Sequence, residues 1–112
     1  MNLDGLTLYV SSTASNGVVG GDTRLHFTQK GSRVLARYGG GSIRRGCLVG
    51  TIEGETLRFR YTQLEANGEI HGGNSVCDLV TLPDGCTRII EHFTWRTRDG
   101  SGDNVFDQVP GT

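Results

Sequence analysis

The chain has 112 residues, with 11 basic and 12 acidic side chains and a formal charge of −1 at pH 7. So close a balance gives no global field to gather nucleic acid or an anionic membrane. The length builds one domain, 1–112, around a single core; no apolar run approaches the ~18 residues of a membrane-spanning helix, and the start MNLDGLTLYV lacks the basic and continuous apolar regions of a secretory signal.

Turn signals divide the chain at short intervals. A first strand is predicted over 6–13, ended by Asn16-Gly17. A second, 23–29, alternates Leu25 and Phe27 against Arg24, His26 and Thr28, and stops at Lys30-Gly31-Ser32. The third, 33–38, sets Val34, Ala36 and Tyr38 against Arg33 and Arg37, before Gly39-Gly40-Gly41. In the fourth, 43–52, Gly46 and Gly50 flank Leu48, and Glu53-Gly54-Glu55 closes it. The fifth, 56–64, puts Leu57, Phe59, Tyr61 and Gln63 opposite Arg58 and Arg60, then turns at Asn67-Gly68. The sixth, 69–82, is interrupted by Gly72-Gly73, where a bend is expected. After Asp84-Gly85 comes the seventh, 86–97, with Ile89, Glu91, Phe93 and Trp95 on one face and Arg88, Ile90, His92, Thr94 and Arg96 on the other. Asp99-Gly100-Ser101-Gly102 precedes the weakest strand, 104–109. The ends, 1–4 and 108–112, read as flexible.

Asn-Gly and Asp-Gly suit the tight turns of paired antiparallel strands. With 18 glycines and no apolar repeat at helical spacing, little room is left for a helix. The pattern predicts an all-β fold: an antiparallel, up-and-down, calycin- or lipocalin-like barrel of about eight strands, closed because closure removes exposed edges. Phe27, Tyr38, Phe59, Tyr61, Gln63, Glu91, Phe93 and Trp95 fall on its interior parity, and a barrel of this size holds packed side chains or one small ligand.

Glu91 is the sharpest feature, because a carboxylate facing an apolar interior is costly unless paired, hydrogen-bonded or protonated. It is either a structural carboxylate, fixed by tyrosine hydroxyls or an arginine reaching across the barrel, or the centre of a site. As a catalytic pair, Glu91 would shuttle a proton and Tyr61 orient the substrate. Tyr38, Phe59, Gln63, Phe93 and Trp95 would supply a ligand-binding wall of aromatic surface with few polar groups.

Other features read as structural. Cys47, Cys77 and Cys86 form no Cys-x-x-Cys; as free thiols in a reducing compartment they look like small buried hydrophobes. His26, His71 and His92 sit on three strands without a metal-like spacing, so no metal is expected. The run 98–104 lacks the ligand spacing of a calcium loop and reads as a turn. The arginine parity face (Arg24, Arg33, Arg37, Arg58, Arg60, Arg88, Arg96) carries no interleaved aromatics, unlike nucleic-acid modules. It is expected to be a solvated face paired with Asp and Glu, or part of a subunit interface.

The stretch YGGGSIRRGCLVG (38–50), followed by LRFRYTQ (57–63), GEI (68–70), LPDG (82–85), Arg88 and EHFTW (91–95), resembles a family of small bacterial β-barrel proteins that often carry the label N-acetylglutamate synthase. The resemblance spans residues 23–103. It implies a small barrel in a bacterial cytoplasm and assigns no catalytic residues. The residues themselves offer no glycine-rich loop opening a helix to hold the pyrophosphate of acetyl-CoA, so acetyl transfer is not expected.

The function expected is binding of a small hydrophobic or amphipathic molecule in the lumen, or cofactor-independent isomerisation or cyclisation there. The rival is a regulatory barrel that binds another protein with its outer face. A cytoplasmic homodimer is expected, the dimer covering edges left by the weak last strand, with no cofactor, nucleic acid or membrane as partner.

Overall fold

A computed structural model describes residues 1–112. It contains eight strands and no helix: β1 Thr7–Ser12, β2 Arg24–Lys30, β3 Arg33–Gly40, β4 Ile43–Glu53, β5 Thr56–Glu65, β6 Ile70–Thr81, β7 Thr87–Trp95 and β8 Ser101–Gln108. Each pairs antiparallel with its sequence neighbour, and β8 pairs back onto β1, so the sheet is a closed up-and-down barrel of calycin type. Period-two alternation sends Leu25, Phe27, Val34, Ala36, Leu57, Phe59, Ile89 and Phe93 inward, where all are buried. The arginines between them face out. Burial of these apolar side chains is the main force closing the barrel.

The structure corrects three expectations. The last strand begins at Ser101, earlier than its apolar pattern suggests, and is hydrogen-bonded on both sides. The barrel therefore has no open seam, and edge-covering gives no reason for a dimer. Next, β6 runs through Gly72-Gly73 in unbroken register with β5, and its pairing with β7 begins at Gly73. Those glycines mark close approach instead, because a Cβ on Gly73 would sit 2.5 Å from the Tyr61 hydroxyl and 2.3 Å from Thr94 O. Third, Cys47 is exposed, because Gly46 and Leu48 take the inward positions of β4. Only Cys77 is a buried thiol, and Cys86 is half-buried.

The chain ends carry anchoring contacts. Leu3 is fully buried and its N–H donates to Gln29 Oε1. Thr112 Oγ1 accepts from Thr7 N and donates back to the Thr7 carbonyl. Leu3 joins Leu8, Phe27, Val34, Ile52, Leu57, Leu79 and Ile89 in one core, which fills the end of the barrel where the chain enters. The opposite end is reached by the loops 13–23, 41–42, 66–69 and 96–100. Its inward residues are mixed in polarity, and the candidate site lies there.

Candidate functional site

All seven residues singled out from the sequence line one cavity at this end of the lumen. Tyr38 comes from β3, Phe59, Tyr61 and Gln63 from β5, and Glu91, Phe93 and Trp95 from β7. Leu25, Leu48, Asn104 and Phe106 complete the wall, and Gly17, Val18 and Val19 of the β1–β2 loop close over it. The free space among them is about 30 Å³, enough for about two waters, each needing some 10–15 Å³ on that scale.

Glu91 is anchored by neither an arginine nor a tyrosine. Its Oε2 shares a 2.6 Å hydrogen bond with Ser75 Oγ, and its Oε1 accepts from Asn104 Nδ2 at 2.8 Å. The register explains both partners: Glu91 lies opposite Asn104, and Ser75 lies opposite Phe93 one inward position along. Burial drives the carboxyl pKa above its ordinary range, and the two hydrogen bonds and the His92 charge only partly oppose it. The neutral acid fits these bonds: its O–H donates to Ser75 while its carbonyl oxygen accepts from Asn104.

A second polar chain leads from the cavity to the mouth. Tyr38 Oη donates to Gln63 Oε1, Gln63 Nε2 donates to Glu65 Oε2, and Arg98 Nη2 donates to Glu65 Oε1, at 2.9, 2.9 and 2.8 Å. Burial works to raise the pKa of Glu65, but the hydrogen bonds from Arg98 and Gln63, with the Arg98 charge, hold it below the ordinary value. Arg98 also lies over the Trp95 ring, 4.6 Å from its centroid. Trp95 packs edge-on against Tyr61, Phe93 and His71. Tyr38 and Tyr61 are both pushed up, first by burial and then by Glu91, so both remain protonated. The Tyr38 proton is committed to Gln63. The Tyr61 hydroxyl, bordering the cavity, has no hydrogen bond to another side chain and is free to meet a ligand.

Arg98→Met removes the cation but keeps much of the stem. It leaves a buried carboxylate with only the Gln63 amide. Because Arg98 is partly exposed, the expected loss is about 1–3 kcal/mol, below the 3–5 of a fully buried pair. Urea denaturation should show this gap at neutral pH. A folded pKa held low stabilises above the ordinary carboxylate range, so the gap should narrow on acidification as Glu65 takes a proton.

Ser75 and Glu65 carry no site signal of their own in the sequence, and Arg98 and Asn104 read there only as part of the turn 98–104. Glu65 was within reach, because Tyr61, Gln63 and Glu65 continue one parity of β5. Asn104 fell at a turn-like boundary and Ser75 behind an expected bend, so neither showed its inward face. Arg98 belongs to a turn, where no parity operates. Elsewhere, His92 sits outside the barrel between Asp103 and Asp78, and no group of three His, Cys, Asp or Glu could hold a metal ion.

The family model described as "Avidin-like protein" matches residues 1–109. The chain belongs to the avidin-like family. The match is to a small β-barrel family, as the likeness over 23–103 implied, and it takes in β1 and β8 as well. No curated protein and no solved structure matches this avidin-like chain.

Proposed function

We propose that this avidin-like barrel binds a small amphipathic molecule whose buried portion is uncharged. One observation carries the reading: seven inward residues of β3, β5 and β7 meet at a single apolar cavity where the Tyr61 hydroxyl is left free. Apolar walls with a few aimed polar groups are the usual make-up of a small-molecule site. A carboxylate entering here would face Glu91, whose carboxyl pKa burial pushes above the ordinary range, and two protonated tyrosines, while Arg98 is engaged by Glu65. Avidin-like barrels bind small ligands such as biotin, so biotin is the first compound to test.

The free space of about 30 Å³ is far below the roughly 300 Å³ of a small-ligand cleft. A ligand of biotin's size therefore requires the β1–β2 loop to lift. Two of that loop's contacts to the wall are long: Ala14 N to Asn104 Oδ1 and Trp95 Nε1 to Asn16 O, each 3.4 Å. Binding without turnover is favoured over isomerisation or cyclisation, because both oxygens of Glu91 already bond within the wall. A homodimer remains part of the proposal, supported by family membership alone.

The single tryptophan lines the cavity and reports on it. Titration with biotin should change Trp95 fluorescence saturably, and Tyr61→Phe should weaken binding about tenfold, as expected for a lost ligand hydrogen bond of ~1.4 kcal/mol. Native mass spectrometry of freshly purified protein should show a retained small molecule, and reports the oligomer in the same spectrum. No retained mass, together with an unchanged Trp95 signal against biotin and a panel of neutral amides, ureas and lactones, would overturn the proposal.

A further inference from the structure

We propose that the outer face of β3–β7 is a docking surface for an acidic protein segment in which carboxylates flank an apolar side chain. The surface is distinct from the lumen cavity, because the arginines and exposed apolar side chains that carry it point outward.

Three apolar side chains stand on this face with large exposure: Leu35 at 52%, Val49 at 60% and Val76 at 42%. Leu35 lies directly opposite Val49 across β3–β4, and Val76 lies opposite Arg58 across β5–β6. Arg33, Arg58, Arg60 and Arg96 stand around them, and together they form a shallow groove. Arg37 extends the row along β3, beyond Leu35. The sheet is a single layer and the chain has no helix, so nothing of its own covers this face.

None of these arginines makes an ion pair. The two arginine salt bridges of the protein, Arg88–Asp107 and Arg98–Glu65, lie elsewhere. The expectation that the basic face is paired with its own Asp and Glu holds for Arg88, which meets Asp107, and fails for these five. The nearest outward carboxylate of β6, Asp78, bonds His92 instead. A chain whose total charge is −1 thus keeps five cations together without counter-charges, around exposed apolar surface. An occupant of opposite charge relieves that repulsion, and guanidinium forks suit carboxylates.

Two further observations select the occupant. No aromatic side chain faces the groove from outside, so there is no platform on which nucleic-acid bases could stack. Along β3, Arg33, Leu35 and Arg37 repeat at every second residue, about 6.8 Å apart. An extended segment of the form acidic-x-apolar-x-acidic presents its side chains at the same interval.

The probe is a fluorescein-labelled peptide, Asp-Ser-Leu-Ser-Asp-Ser-Leu-Ser-Asp, read by anisotropy with the full chain. Saturable binding is expected, weakened at least about tenfold by high salt and by the double variant Arg33→Gln/Arg60→Gln. Replacing the peptide leucines with serine, or Val49→Ser in the protein, should weaken it as well. These protein positions are exposed, and matching melting curves establish that the variants fold. No saturable binding, or binding indifferent to both protein variants, overturns the proposal. Tighter binding of a thymidine oligonucleotide of equal charge would assign the face to nucleic acid. Self-association abolished by Val49→Ser would assign it to a second copy. Either result also overturns the proposal.

Discussion

Replacing Gly46 with valine should lower the melting temperature by roughly 10–20 °C, the thermal equivalent of about 2–3 kcal/mol in a domain of this size. Gly46 faces inward on β4, directly opposite Tyr38 on β3. A Cβ built there would lie 2.3 Å from both Cε2 and Cζ of the Tyr38 ring. The glycine is thus the seat of the ring. Any side chain at this position forces the ring aside and breaks the 2.9 Å bond from Tyr38 Oη to Gln63. A double-mutant cycle separates this contact from general damage to the strand. Tyr38→Ala alone should be severely destabilising, on the order of 3–5 kcal/mol, as for other large buried rings. Adding Gly46→Val to it should cost little, since the valine would occupy the vacated space. Thermal unfolding followed by circular dichroism checks both. If the two changes were additive, the ring contact would not be what constrains position 46.

Glu91→Gln should raise stability at neutral and alkaline pH and leave it unchanged near pH 3. The sign follows from the raised carboxyl pKa, caused first by burial. Below the ordinary carboxylate pKa, folded and unfolded chains both hold the proton and Glu91 carries no penalty. As pH rises past that value, the unfolded chain releases the proton while the folded chain retains it. Native stability then falls by up to about 1.4 kcal/mol per pH unit, until the folded-state pKa is passed. Glutamine has no proton to release, so its curve lacks this fall. Its amide also reproduces the neutral acid: N–H donates to Ser75, and the carbonyl accepts from Asn104. Urea melts of both proteins from pH 3 to 9 would show curves that coincide in acid and diverge above it. A uniform loss of stability in the variant would mean that Glu91 is held as a carboxylate by a charged partner. Retained biotin-induced change in Trp95 fluorescence in the variant would identify Glu91 as wall rather than ligand contact.

The alternation along each strand determined most of the fold before any coordinates. Two faces of opposite character at period two can be satisfied only by a sheet with one dry side, and turns at short intervals make that sheet antiparallel. The same parity placed Tyr38, Phe59, Tyr61, Gln63, Glu91, Phe93 and Trp95 on one inner surface, since parity is a local property of the backbone. Tertiary structure decided the rest. The pairing of β8 with β1 closes the seam, and it depends on long-range register that a weakly apolar strand does not reveal. Which polar group meets Glu91 depends on the positions of Ser75 and Asn104 in the neighbouring strands, residues with no distinguishing pattern of their own. Whether surface arginines are paired depends on the register of neighbouring strands, and here the pairing of β3 to β7 set five of them beside apolar side chains and apart from carboxylates. Local chemistry can say which way a side chain points; only the closed register says what it meets there.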